Sequence, residues 1–220
     1  MPITKQQIIN RALGEVGVKE YPPNSNNVKY NTWYYGREVH DGDTGPNAKY
    51  PWCMTFIQWL FKDSGLLPIK TASCSALYNK CKALGWIVTN PLPGDIVMYK
   101  WDKSIKNPCQ HVGFVVENVD AKHIKAAEGN TSITSNDNGG SVMLRIRPID
   151  KSIVAFIRPP YVDAPATTTQ NRKSNEEVAM EIYKGKGGWG NNPGRRQKLE
   201  AAGYDYYTIR DLVNALMEKK

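Results

Sequence analysis

Apolar residues recur at helical spacing over the first sixteen positions, where Ile8, Ile9, Ala12, Leu13 and Val16 share one face. Thr4 and Gln7 have the spacing of a capping box and Gly17 is a natural stop, so a helix is expected over residues 4–16. A stretch rich in Asn, Pro and Tyr follows, from YPPNSNNVKYNTWYYG to HDGDTGPNAKY, and reads as a loop. It delivers the chain to a second helix that begins near Pro51 or Trp52, sets Cys53, Phe56, Ile57, Leu60 and Phe61 on one side, and stops at Gly65. A third helix covers about residues 75–84, ahead of Gly85. From Trp86 onward the pattern changes to short β-rich runs, WIV, DIVMYK, HVGFVVE, HIKAAE, SVMLRIR and IVAFIR, separated by turn residues. Helices first and strands afterwards imply an α+β domain with an antiparallel sheet.

The strand pattern ends at Arg158, Pro159 and Pro160, and the Pro, Thr and Asn content of VDAPATTTQNRK is that of an exposed linker. The expected division is a main domain over residues 1–160, a linker over 161–173 and a small module over 174–220. Ser174 and Glu177 again have capping-box spacing, opening a helix that Gly185 closes. A second short helix is expected over about 193–202, and a third carries Ile209, Leu212, Val213, Leu216 and Met217 on one face. Three short helices make a minimal bundle with little room for a catalytic cleft, so binding is its expected role.

Composition narrows the partners. The 29 Lys and Arg against 21 Asp and Glu give a formal charge of +8, which suits nucleic acid, a membrane face or an acidic bacterial wall. Before the cut at residue 160 stand 19 basic and 13 acidic residues and after it 10 and 8, so the excess is spread, against the concentrated patch of a nucleic-acid binder. No run is long and apolar enough for a signal peptide or a membrane span, so synthesis is expected to end in a cytoplasm. Cys53, Cys74, Cys81 and Cys109 show no CxxC spacing, and a reducing compartment disfavours a disulfide framework. Cys74, Cys81 and Cys109 read as buried hydrophobes or spare thiols.

Cys53 stands apart because it falls in the first turn of a helix, where unpaired N–H groups and the dipole favour thiolate. A buried structural cysteine is the competing reading, and the choice rests on partners. HVGFVVE and HIKAAE form a hairpin in which a turn centred on Val119 and Asp120 pairs Glu117 with Lys122 and sets His111 directly opposite Glu128. Asn130, two residues on, keeps the same face by the period of two. A base, an orienting carboxylate and an amide would converge unless a bulge shifts the register. Singly, His111 also reads as a hydrogen-bonded structural histidine and Glu128 as a surface charge. His40 lies in the loop and His123 near the far end of the hairpin; neither has such company. No Gly-rich phosphate loop or HExxH helix is present.

The runs YPWCMTFIQWLF, PLPGDIVMYK, HVGFVVE and AEGN, in that order, resemble the CHAP domain, the cysteine, histidine-dependent amidohydrolase/peptidase of bacteriophage lysins and bacterial autolysins. The resemblance covers about residues 1–160 and implies a papain-like fold. It implies Cys53 as nucleophile, His111 as base, Glu128 as the group that orients it and Asn130 as a further polar member, with Trp52 on the substrate side. The tail, GKGGWGNNPGRRQKLEAAGYDYYTIRDLVNAL, resembles the Cpl-seven-type cell-wall-binding repeat, a three-helix module that recognises the glycan and first stem residues of peptidoglycan. There Trp189 could stack on a sugar face or plug the small core, and Arg195 or Arg196 could meet a carboxylate.

Together these resemblances imply an endolysin that cleaves an amide of peptidoglycan, waits in the host cytoplasm and reaches the wall on release. No cofactor is required on this reading. Calcium is a possible exception, because DGDTGPN offers Asp41 and Asp43 as oxygen ligands, although a solvated turn explains the same residues. The competing classes are a non-catalytic wall-binding protein on a degenerate hydrolase scaffold and a basic nucleic-acid binder. Neither accounts for an ordered Cys53, His111 and Glu128.

Overall fold

The computed structural model describes residues 3–161, 173–204 and 206–218. These fall into two compact units, one ending at residue 161 and one beginning at residue 173. Positions 162–172 of the expected linker lie outside the described residues.

In the first unit four helices precede six strands. Helix α1 (Lys5–Gly14) opens on Thr4, whose side chain accepts from the Gln7 N–H while the Gln7 side chain accepts from the Thr4 N–H, the capping box read from sequence. The Asn- and Tyr-rich stretch is not all loop. It contains a short helix, α2 (Lys29–Tyr35), closed by Gly36 at φ 72°. No apolar periodicity announces α2; it is held from outside by Tyr30, whose hydroxyl donates to Glu15 at 2.6 Å, and by buried Asn31. Helix α3 (Cys53–Leu60) follows and then α4 (Cys74–Ala83), capped by the Ser73 side chain at Ala76 N.

The strands are β1 (Ile87–Val88), β2 (Ile96–Tyr99), β3 (His111–Asp120), β4 (His123–Thr131), β5 (Ser141–Pro148) and β6 (Ile153–Ile157). They form one antiparallel sheet in the order β1-β6-β2-β3-β4-β5. Helices before strands thus give the expected α+β architecture. Alternation sorts the sheet's residues into two sets: Ile96, Met98, Val112, Phe114 and Ala127 join the core around α1, α3 and α4, whereas Val97, Tyr99, Val115, Ile124, Ala126 and Phe156 form a separate cluster.

Helix α3 is placed by contacts at both ends. Its C-terminal carbonyls at Leu60 and the following Lys62 accept from the Arg11 guanidinium, a cation where the helix dipole favours one. At its start, Thr55 donates to Asn31 Oδ1 at 2.7 Å, and Asn31 Nδ2 donates to the carbonyls of Asn26 and Tyr50. This fully buried clamp fixes the chain that enters the helix. Between them Gly129 lets β4 approach the helix closely: a Cβ there would lie 2.8 Å from Phe56 Cβ and 2.9 Å from Trp52 Cζ3. Gly129→Ala is therefore expected to cost about 1–3 kcal/mol by forcing strand and helix apart. An unchanged midpoint in thermal or urea unfolding would contradict that close approach.

The hairpin register departs from the sequence expectation in an instructive way. The turn is two residues further on, at Ala121 and Lys122, with Asp120 opposite His123. Two bulges on β3, between Val115 and Glu117 and between Asn118 and Asp120, then take up part of the offset, and Phe114 pairs with Ala127. His111 is therefore not opposite Glu128; Tyr99 is its partner on the β2 side. The net slip is two residues, an even number, so His111 and Glu128 still share a face and meet diagonally. An odd slip would have separated them.

The second unit packs three helices, α5 (Asn175–Tyr183), α6 (Gly194–Ala201) and α7 (Tyr206–Glu218). Ser174 and Glu177 form the expected capping box. Val178, Ala179, Leu199, Tyr204, Ile209 and Val213 make its core.

Candidate active site

The first turn of α3, the start of β3 and the end of β4 bring the site together. His111 Nε2 lies 3.1 Å from Glu128 Oε2, and both side chains are fully buried. Room for the carboxylate comes from Gly113, where a Cβ would stand 2.9 Å from Glu128 Cγ. Glu128 is held from its other side by Arg147 of β5, whose Nε donates to Oε1 at 2.8 Å and whose Nη2 donates to Oε2. Burial acts to raise the Glu128 carboxyl, but the Arg147 and His111 hydrogen bonds and charges outweigh it, and the group is held below the usual carboxylate range. Glu128 is thus an anion that can only accept, so the proton of neutral His111 must sit on Nε2. Nδ1 is left as an acceptor, and it is buried without a hydrogen-bond partner.

Cys53 occupies the first position of α3, with Trp52 as N-cap. Its thiol is buried within reach of the N–H groups of Met54 and Val112, the latter adjacent to His111 in β3. Burial pushes the Cys53 thiol up, the charge of Cys74 adds to this, and the two backbone N–H groups only partly oppose it. The residue that follows His111 in β3 thus supplies one of the two N–H groups in reach of the sulfur.

Asn130 lies at the end of β4 in the left-handed region (φ 58°), where the pairing with β5 shifts between Glu128 and Thr131. The period-of-two argument stops short of it for that reason. Its Oδ1 accepts from Gly140 N at 3.2 Å, while its Nδ2 is buried and unpartnered. Trp52, expected on the substrate side, is instead fully buried, its indole N–H donating to Glu20 at 3.0 Å and its ring against Tyr30. It is a core residue because the helix cap turns it inward.

Sequence reasoning missed the other wall of the site. Tyr99 and Trp101 stack at 5.1 Å and both lie close to the His111 ring, at 5.9 and 5.8 Å between centroids. The Arg147 guanidinium lies over both, 5.5 and 5.3 Å from their centres. The signal was the alternation Arg145, Ile146, Arg147 in β5, which puts both cations on one face, but nothing in the sequence says that this face carries Glu128.

In the DGDTGPN loop, Asp41 accepts from Asn26 and the Tyr50 N–H and pairs with Lys49 at 3.1 Å. Asp43 accepts from the His40 N–H and lies 3.5 Å from Arg37. Both carboxylates are thus held by turn N–H groups and cations.

In the second unit, a cavity of about 190 Å³ is lined by Arg195, Arg210, Asn192, Asn214 and Tyr206 over an apolar floor that includes Ile209 and Val213. Arg195 borders it. Arg196 instead sits over the Tyr206 ring, at 5.8 Å. Trp189 is not among its lining residues: its half-buried ring meets Tyr204 edge-on at 5.8 Å and its N–H donates to Glu181 at 3.1 Å.

Comparison with known proteins agrees with this layout. Residues 45–130, which span the loop before α3, Cys53, His111, Glu128 and Asn130, match the family model described as CHAP domain. The first unit thus contains a CHAP match that begins before α3 and ends in β4. Residues 176–217 match the CW_7 repeat, and the chain joins these two modules in that order. Among solved structures, the wild type endolysin LysIME-EF1 is similar at 13% identity and TM-score 0.44, with 73% of this chain and 66% of that one covered. Ly7917 is similar at 16% identity and TM-score 0.43, with 72% and 63% covered. The matches thus span just under two thirds of the length of these two proteins. No curated protein matches the chain.

Proposed function

We propose that the chain is a peptidoglycan hydrolase of the endolysin kind, in which Cys53 cleaves an amide by acyl transfer and the CW_7 repeat holds the enzyme on the wall. The observation that carries this reading is the Arg147, Glu128, His111 chain ending in an unpartnered Nδ1 beside the residue whose N–H reaches the Cys53 thiol. The thiol proton passes to His111 Nδ1 as sulfur attacks the carbonyl carbon. The imidazolium so formed is stabilised by Glu128 through Nε2. Charge on the carbonyl oxygen develops where unpaired N–H groups of the α3 first turn, including that of Cys53, can meet it. Protonated His111 gives its proton to the leaving amine; water, deprotonated by the same nitrogen, then releases the acyl group and restores the thiol. No step needs a metal. Asn130, whose Nδ2 is buried and unpartnered, is a further polar group of the site.

The scissile amide is either the muramoyl to alanine link or a peptide bond of the stem or cross-bridge, and chemistry distinguishes them. Purified peptidoglycan digested by the full chain is expected to show new amino groups without new reducing ends, and mass spectrometry of the fragments locates the cut. New reducing ends would mean a glycosidase and would sink the proposal. Binding to walls with no release of either would favour a degenerate, non-catalytic scaffold. The cavity bordered by Arg195 and Arg210 suits a ligand with one apolar face and an anionic group, which a sugar bearing a carboxylate offers.

A further inference from the structure

We propose that Arg147 is a positioning residue of the active site: by holding Glu128 as an anion through a two-point contact, it dictates which nitrogen of His111 is free to take the Cys53 proton. The inference rests on the hydrolase reading for its kinetic consequence, but its structural claim stands on geometry alone. Arg147 is 8% exposed, and its fork covers both Glu128 oxygens while Nη1 donates to Asn136 Oδ1 at 2.7 Å. Such a guanidinium is aimed, not merely nearby, and its charge stays fixed across the working pH range.

The charged and titratable groups around the pair are few. Glu128 faces His111 from β3, Arg147 from β5 and the Tyr99 hydroxyl from β2; Arg145 is the next cation in β5 and feels the Arg147 charge, and Cys74 and Asp137 act on Cys53. Tyr99 is buried and its hydroxyl is held well above its usual range by burial and by the charge of Glu128, so it does not titrate with the pair. Arg147 is then the one cation in direct contact with Glu128 among the described residues.

Without that cation, the buried carboxylate shares a proton with His111 and holds it to higher pH. If the proton stays on the ring, His111 is an imidazolium and cannot act as base. If it moves to Glu128, the carboxyl donates to Nε2, and the ring's own proton is forced onto Nδ1, the atom that must accept from sulfur. Both outcomes disable the enzyme until the pH is high enough to remove the shared proton. A purely structural arginine would lower activity without moving that pH.

The test uses the full chain with 15N-labelled histidine, only three residues being present, and assigns His111 with His40→Gln and His123→Gln. Wild type is expected to show the Nε2–H tautomer when neutral; an Nδ1–H tautomer would overturn the proposal without any variant. In Arg147→Met, the His111 midpoint and the acid limb of kcat/KM on soluble wall fragments are expected to rise together by about one pH unit or more. Arg147→Lys keeps the charge but loses the fork, so its limb should stay within a few tenths of a unit while kcat falls roughly tenfold. Loss of activity in Arg147→Met with both midpoints unmoved would show a scaffold role only. If Arg147→Met does not fold, the wild-type tautomer and the Arg147→Lys limb decide the matter. If wild type releases no amino groups, the hydrolase reading fails, but the NMR midpoints still test the arginine's control of the pair.

Discussion

Cys53→Ala is expected to lower the release of amino groups from wall material by more than about a thousandfold, while its unfolding midpoint and wall binding stay near those of wild type. The size follows from the proposed mechanism, in which Cys53 carries the acyl group. Cys74 and Cys109 are neighbours of the site, and the Cys74 thiol donates to the Cys109 carbonyl at 3.4 Å. Removing one buried sulfur costs about 1 kcal/mol, well short of unfolding a domain with a six-stranded sheet and a continuous core. Glu128→Gln should be less severe but still damaging, since a neutral amide leaves Arg147 buried without its counter-ion and no longer favours the imidazolium. The measurement is amino-group release over time by each purified variant, beside its unfolding curve. A folded Cys53→Ala that keeps more than a few per cent of activity would refute covalent catalysis by this residue.

How the site became visible in the sequence depends on which features survive small errors. Cap chemistry was local and therefore safe: Thr4 with Gln7 and Ser174 with Glu177 form the boxes their spacing implies. The meeting of His111 and Glu128 was foreseen for a partly mistaken reason. A misplaced turn and two unforeseen bulges cancelled to an even slip, and parity alone decides the face. Asn130 shows the limit, because one left-handed residue ends the alternation. Arg147 and the rings of Tyr99 and Trp101 were illegible, since their roles depend on which strands become neighbours, an outcome of the whole sheet's order. The burial of Cys53 was not visible from its helix position, because it is a tertiary effect, and it acts on the thiol against the local dipole. Helix α2 escaped for the same kind of reason: its polar sequence is held by Glu15 and the Asn31 clamp, not by its own periodicity.

Removing the second unit is expected to cost about a hundredfold in lysis of intact cells but little in cleavage of soluble wall fragments. Residues 1–161 contain the entire sheet, both apolar clusters of that unit and every site residue, so this segment should fold and keep its chemistry. What it loses is the proposed tether, which raises the local concentration of enzyme on an insoluble substrate. Within the second unit the effect should trace to its cavity. Arg195→Ala in the full chain is expected to weaken wall binding roughly tenfold, the size of one charge-assisted contact. Trp189→Ala should act differently, by loosening the packing against Tyr204 and the link to Glu181, so that its binding defect comes with a lower unfolding midpoint for this unit. Sedimentation with purified walls at low and high salt, read beside unfolding curves, separates these cases. Binding that vanishes at high salt and is unmoved by Arg195→Ala would reduce the repeat to nonspecific charge attraction. A Trp189→Ala variant that keeps its stability and loses binding would instead place the recognition surface on the indole and away from the cavity.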